Sequence, residues 1–296
     1  MRRCWLELIL FVIRAAETLK ASMPSAGVTV RDDWNQHWNE LAESARANPA
    51  QAFRRQLIFS LLRLDAAGPV RLLDIGSGQG DFAAEALQRF PNIEILGLEL
   101  SRSGVERAAS KAPLATFVQR DLLRPAEVPS QHENWATHAV CSEVLEHLDD
   151  PSRLLEAAKA YMGPDCTLVV TVPGGPMSAF DRHIGHRIHY TPGKLRSLLS
   201  GLGFNVKYAG GVGFPFFNLY RLMVIFLGKS LIDAASSPAT DSLPVRVAMR
   251  VFRALFCLST RSPLGWQIAA EAQLTATTQS GNVKLGGRIS GSDSGT

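Results

Sequence analysis

A chain of 296 residues, 46% of them hydrophobic, is long and apolar enough to bury the core of one enzyme-sized α/β domain. Its formal charge of +4 is far from the dense basic footprint of a dedicated nucleic-acid binder, so no nucleic-acid partner is expected. Four cysteines, at 4, 141, 166 and 257, show neither C-x-x-C pairing nor regular spacing, which excludes a zinc knuckle and a disulfide scaffold and makes a reducing, cytoplasmic setting the default.

Residues 1–22 open on Arg2-Arg3, run apolar from Cys4 to Ile13 except for Glu7, and close at Arg14. This is the outline of a signal peptide, but with a charge in a short apolar run and no small-x-small cleavage site, and it is too short to span a bilayer. We read it as an amphipathic extension, or as a spurious stretch before a true start at Met23. From Asp32 to Leu64 the pattern is helical, with Trp34 and Trp38 one turn apart and a second stretch from Pro49. The Trp pair could stack on a ligand or simply pack a helix on the domain.

Val70, Leu72, Leu73 and Ile75 form the first strand, covered on both faces, and Phe82, Ala83, Ala86, Leu87 and Phe90 follow at helical spacing. Between them Asp74-Ile75-Gly76-Ser77-Gly78-Gln79-Gly80-Asp81 must turn tightly, as glycine allows. A dinucleotide fingerprint would put its third glycine at 81, where the chain has Asp81, so the spacing is G-x-G-x-G. A second strand, Ile93 to Glu99, and a third, Thr116 to Asp121, each end in an acid. His138 to Ser142 is a fourth, leading into Glu143-Val144-Leu145-Glu146-His147, and Thr167 to Val172 a fifth, closed by Pro173. Thr191-Pro192 opens an amphipathic helix that ends at Gly203. Phe204 to Tyr208 is a sixth strand, Gly265 to Glu271 a last one, and residues 274–296 a Gly/Ser/Thr-rich disordered tail. Strands alternating with helices predict an α/β fold with a mostly parallel sheet, helices on both faces and ligands at the carboxyl ends of the strands. Asp74, Glu99, Asp121 and Glu143 all fall at or just after such ends.

The glycine loop resembles the first motif of the class I S-adenosylmethionine-dependent methyltransferases, in which an acid precedes D/E-x-G-x-G-x-G, and the later strands keep that family's order. The resemblance implies a Rossmann-like methyltransferase domain over 23–273 with a helical insertion at 214–262, and S-adenosylmethionine as cofactor. It assigns cofactor contacts to Asp74, Gly76, Gly78 and Gly80, to Glu99 on the ribose hydroxyls with Leu100 beside it, and to Asp121 and Leu122 at the adenine.

If a helix begins at the end of the fourth strand, Glu143, Glu146 and His147 share one face. E-x-x-E-H is similar to the ubiquinone-biosynthesis O-methyltransferases and the small-RNA 2′-O-methyltransferases, where these side chains and a later ligand hold a divalent cation. His186 best matches that later position, which implies a metal set of Glu143, Glu146, His147 and His186. The same letters occur in small-molecule methyltransferases without an established metal, which would leave His147 as a general base beside Glu143. They also suit a purely structural role, with acids favouring a first helical turn.

In the insertion, Phe214 to Tyr220, which includes Asn218, and Leu222 to Leu227 are largely apolar, with Arg221 and Lys229 interrupting; no uncharged run reaches transmembrane length. Pro244 to Leu258 places Arg246, Arg250 and Arg253 on one stripe among large apolar residues. Such a helix could lie on an anionic membrane surface, roof an apolar pocket, or pack as a hairpin. We therefore expect a small hydrophobic acceptor, such as a prenylated quinol, a lipid or a lipid-linked sugar, methylated on oxygen. The alternatives are a metal-dependent RNA 2′-O-methyltransferase and a catalytically silent cofactor-binding subunit.

Overall fold

The computed structural model describes residues 34, 48–64, 68–178, 181–182, 184–235 and 243–275. The extension at 1–22, Met23, Trp38 and the tail beyond 275 lie outside the described residues, as does the side chain of Arg246.

Helix α1 (Pro49–Leu62) starts where Asn48 accepts from the Ala50 N–H and proline occupies the first turn, and it ends at Arg63 in the left-handed region. Strands and helices then alternate as β1 (Val70–Ile75), α2 (Asp81–Arg89), β2 (Ile93–Glu99), α3 (Arg102–Lys111), β3 (Thr116–Gln119), β4 (Ala136–Ser142), α4 (Pro151–Lys159) and β5 (Met162–Pro173). Helix α5 (Pro192–Gly201) is capped by the Thr191 hydroxyl and leads into β6 (Phe204–Phe214). Helices α6 (Phe216–Ala235) and α7 (Leu243–Phe256) follow, then the two-residue β7 (Thr260–Arg261) and β8 (Gln267–Leu274).

The strands form one sheet in the order β3-β2-β1-β4-β5-β8-β6-β7. The first five pair in parallel, and β8 runs antiparallel between β5 and β6. The mostly parallel α/β sheet expected from the strand pattern is thus the observed one. β1 serves both faces: Leu73 and Ile75 join a core with α4 and α5, while Val70 and Leu72 join one with α1 and α2. Parallel strands buried on both sides read as continuous apolar runs for this reason.

The insertion packs on α1. Phe217, Tyr220, Phe252 and Phe256 form a buried cluster with Ala50, against which Phe53 packs. Ring centroids lie 5.3 Å apart for Phe53–Phe217 and 5.5 Å for Tyr220–Phe252, and the Tyr220 hydroxyl donates to Asn48 at 2.9 Å. Each such aromatic contributes about 1.5–3 kcal/mol on burial, so this contact fastens the insertion to the domain rather than leaving its rings to line a cavity. Arg250, Val251 and Arg253 stay on the exposed side of α7. Among the described residues no helix is long and apolar enough to cross a membrane.

Candidate active site

The carboxyl end of β1 carries the glycine loop, with the ends of β2 and β3 beside it. Gly76, Gly78 and Gly80 all have positive φ, at 71°, 52° and 78°. Two of them are also demanded by packing: a Cβ on Gly76 would stand 2.4 Å from Val144 Cγ2, and one on Gly80 would stand 2.9 Å from the Ala108 backbone. Glu99 is buried and accepts from the N–H groups of Gly78 and Ser101, both at 2.9 Å, so it clamps the loop to the end of β2. Asp121 caps the Leu123 N–H at 2.9 Å and pairs with Arg124 at 3.1 Å. Leu122 is buried beside it, and Leu100 lies open at the strand end.

Asp74 is enclosed at the base of this loop, where burial, and then the Glu99 charge, push its pKa up to about 7. Its Oδ2, together with Ser77 Oγ and Gln79 Nε2, is buried with no hydrogen-bond partner among the described residues. Orphaned buried polar atoms are costly, and three around one glycine loop fit a site built for a polar ligand such as S-adenosylmethionine.

The ends of β4, β5 and β8 build the other half. E-x-x-E-H does not start an α-helix, contrary to expectation. Glu143 takes a left-handed φ of 57° and a 3-10 turn follows over Leu145–His147. This reversal sends the two glutamates apart. Glu143 lies 3.2 Å from Arg54 Nε of α1, accepts from Gln267 Nε2 of β8 at 2.9 Å and accepts from the Thr171 hydroxyl at 3.3 Å. Arg54 also donates to Gln267 at 3.0 Å, closing a three-way brace.

Glu146 points inward with 0% exposure, and neither carboxylate oxygen has a hydrogen-bond partner among the described residues. Burial, and then the Glu143 charge, raise its pKa well above the carboxylate range. Its Oε1 stands 4.0 Å from His147 Nε2 and 3.9 Å from His186 Nε2. His147 in turn meets the edges of Trp34 and His186, each at a centroid distance of 4.8 Å. Trp34 therefore lies on the imidazole from the N-terminal side.

Behind this nest, Asp181 has 0% exposure and accepts from the Ser178 N–H at 2.8 Å, the Ser178 hydroxyl at 2.7 Å and Arg221 of α6 at 2.9 and 3.1 Å. Burial alone would raise its pKa, but Arg221 and the Ser178 bonds outweigh that and hold it below the usual value. Burial, and then His147, push His186 down to about 3, and burial lowers His189 as well. Among the described residues, two sets of groups converge closely enough to hold a metal ion, each with one ligand atom per residue within 4.8 Å of the others: Glu146, His147 and His186, and Asp181, His186 and His189. Glu143, expected to be a fourth ligand, stands outside both because its left-handed backbone and the Arg54–Gln267 brace turn it away.

The structure also brings in residues that the sequence pattern did not single out. Arg221 left a trace, as a lone cation in an apolar helical run that needs a buried partner. Asp181 and His189 lie in the stretch from Asp181 to Thr191 where the later ligand is expected, although the pattern singles out only His186 there. Arg54 and Gln267 left no trace, because each joins the site through contacts between distant segments.

The chain matches the Methyltransferase domain family model over residues 50–209, more than half of its length. It is 27% identical over 143 residues to a trans-aconitate 2-methyltransferase of Methylobacterium radiotolerans, covering 48% of this chain and 50% of that one. It is 30% identical over 90 residues to the enzyme of the same name from Acidovorax ebreus, covering 30% and 32%. The chain thus spans half or less of these curated relatives. Among solved structures it is similar to the [4+2]-cyclase SpnF, with a TM-score of 0.57, 19% identity and coverage of 84% of this chain and 99% of that one. It is also similar to phosphoethanolamine N-methyltransferase 2 of Haemonchus contortus, solved with S-adenosyl-L-methionine, with a TM-score of 0.56, 14% identity and coverage of 86% and 61%. At such identities the structures show the fold alone. With the family model, the glycine loop and the strand order in agreement, the chain belongs to the class I S-adenosylmethionine-dependent methyltransferases, in the Methyltransferase domain family.

Proposed function

We propose that the protein methylates an oxygen atom of a small, polar acceptor held against the Glu146–His147–His186 nest. The observation that carries this reading is the juxtaposition, through the Gly76–Val144 contact, of a glycine loop with orphaned polar atoms and a turn bearing a buried acid and an imidazole. S-adenosylmethionine, when bound, supplies an electrophilic methyl group that needs no covalent help from the protein. The chain's own residues then have two tasks. Asp74 and Glu99 hold the donor side, while Trp34, Glu143 and Arg54 shape the acceptor side so that nucleophile and methyl line up. Where the acceptor is a hydroxyl, His147 takes its proton as the oxygen attacks, as an imidazole is suited to do near neutral pH, whereas a carboxylate acceptor is already ionised and needs only alignment.

The lining supports a polar acceptor better than the apolar one expected from the insertion. The aromatic rings of the insertion are spent on packing against α1, while the charges around the nest cancel in pairs, Arg54 with Glu143 and Arg221 with Asp181. The acid named in the curated relatives is one such acceptor. The two unpartnered oxygens of Glu146 favour a second reading, in which Glu146, His147 and His186 hold a divalent cation that lowers the pKa of the acceptor's hydroxyl.

Calorimetry with S-adenosylhomocysteine, followed by mass-spectrometric search for methylated products of polar acids and hydroxy compounds with and without EDTA, tests both readings. We expect binding and a product, with EDTA abolishing turnover only on the second reading. Absence of S-adenosylhomocysteine binding would sink both. Binding without turnover on any extract would point to a silent subunit.

A further inference from the structure

The imidazoles of His147, His186 and His189 stand in a row, from the acceptor nest to the loop after β5, and the far end of that row meets a group with only one role open to it. The carbonyl oxygen of Gly175 lies 3.1 Å from His189 Nδ1 and can only accept, so that nitrogen carries the hydrogen. A neutral imidazole has a single N–H, which leaves His189 Nε2 bare. That bare nitrogen is 3.3 Å from Nδ1 of His186, so His186 must in turn place its hydrogen on Nδ1. Nε2 of His186 is then a lone pair, the atom that stands 3.9 Å from Glu146.

The surroundings hold this order in place. Gly175 adopts a φ of 72°, and the Trp266 ring lies 2.6 Å from where its Cβ would be, which fixes the direction of its carbonyl. Asp181 lies 3.8 Å from both His186 Nδ1 and His189 Nε2, too far to take either hydrogen, and its oxygens are already engaged by Ser178 and Arg221. Because Asp181 stands equally far from the two nitrogens, its charge does not choose between them, and the Gly175 carbonyl sets the order.

We propose that His189 is a positioning residue that sets the tautomer of His186, so that an unprotonated Nε2 always faces Glu146 and His147; this rests on reading that nest as the acceptor site. The opposite tautomer would push an N–H toward His147, the imidazole that takes the acceptor's proton, and would close the lone pair that a cation needs.

Long-range proton–nitrogen correlation spectra of the full chain, with ¹⁵N-labelled histidine and His186→Gln for assignment, read the tautomer directly. In wild-type protein at neutral pH, His186 should show a protonated Nδ1 and a bare Nε2. His189→Leu, which removes the acceptor, should shift His186 toward a protonated Nε2 and lower kcat by at least about tenfold, with KM for the methyl donor unchanged. His189→Gln can donate to Gly175 through its amide and accept from His186 through its carbonyl, so it should preserve both tautomer and turnover. A protonated Nε2 in the wild type, or a tautomer indifferent to His189→Leu, overturns the proposal. If His189→Leu does not fold, the wild-type and His189→Gln spectra still decide. A shifted tautomer with unchanged turnover would uphold the relay and instead bring down the placement of the acceptor at this nest.

Discussion

The two halves of the sheet edge are built by different means. On the donor side, one short segment from Asp74 to Gly80 makes the loop, and its clamp, Glu99, works through backbone N–H groups of Gly78 and Ser101. On the acceptor side, two of the three carboxylates are satisfied by side chains from other elements, Glu143 by Arg54 and Gln267, and Asp181 by Arg221 together with nearby Ser178, while Glu146 has no hydrogen-bond partner among the described residues. A loop held by backbone groups tolerates change in the surrounding side chains. A nest held by ion pairs across elements depends on every partner, because a buried charge left alone is far more costly than a lost surface contact.

That contrast can be broken by experiment. Arg221→Met strands the Asp181 carboxylate in the interior and should cost about 3–5 kcal/mol in chemical denaturation, while the folded fraction keeps its affinity for S-adenosylhomocysteine. A cost below about 1 kcal/mol would mean that the pair is solvated and that the two halves are not so different. Adding Asp181→Asn in the same chain should recover part of the loss, since the two residues act as a unit.

Glu99→Ala probes the donor half. Each hydrogen bond to a charged group is worth roughly 1.5–3 kcal/mol, so affinity for S-adenosylhomocysteine should fall about ten- to a hundredfold by calorimetry. Stability should change less than with Arg221→Met. An unaltered affinity would show that the loop needs no clamp.

The smallest expected effect per unit change is a pH slope. Asp74 has its folded-state pKa raised from 3.8 to about 7, so its contribution to stability is full below the unfolded value and is lost as pH rises through about 7. The stability of wild type relative to Asp74→Asn should therefore fall between those limits, by at most about 1.4 kcal/mol per pH unit. Using the difference matters, because Glu146 shifts in the same direction and His186 in the opposite one, losing stability as pH falls toward about 3. A flat difference would place Asp74 in contact with water.

How much of this was legible beforehand follows the same division. The donor loop, the acids at the ends of β1 and β2 and the alternation of strands and helices are local patterns, so they stand out in sequence. The acceptor nest depends on Gln267 reaching Glu143 across 124 positions and on Arg221 reaching Asp181 across 40, and no local spacing encodes either. E-x-x-E-H misled because its spacing is that of a helix, whereas the helix after β4 begins only at Pro151, where Asp150 caps it. The stretch between is a left-handed residue and a 3-10 turn, so the second glutamate points inward and the first does not. The basic stripe of α7 suggested a surface role; Arg250 and Arg253 do stay exposed, while Phe252 and Phe256 on the other side fasten the helix to α1.

Val144 stands between the two glutamates of the turn, and one of its methyl groups fills the space that a β-carbon on Gly76 would need. The donor loop and the acceptor turn therefore share a partition one side chain thick. A larger residue at 76 could not be absorbed locally, because its positive φ and the valine behind it both resist, and the displacement would pass straight into Leu145–His147. On the proposed placement of donor and acceptor, the spacing between the two is in this sense a property of a single missing methyl group, and redesign of either half has to begin by leaving that contact alone.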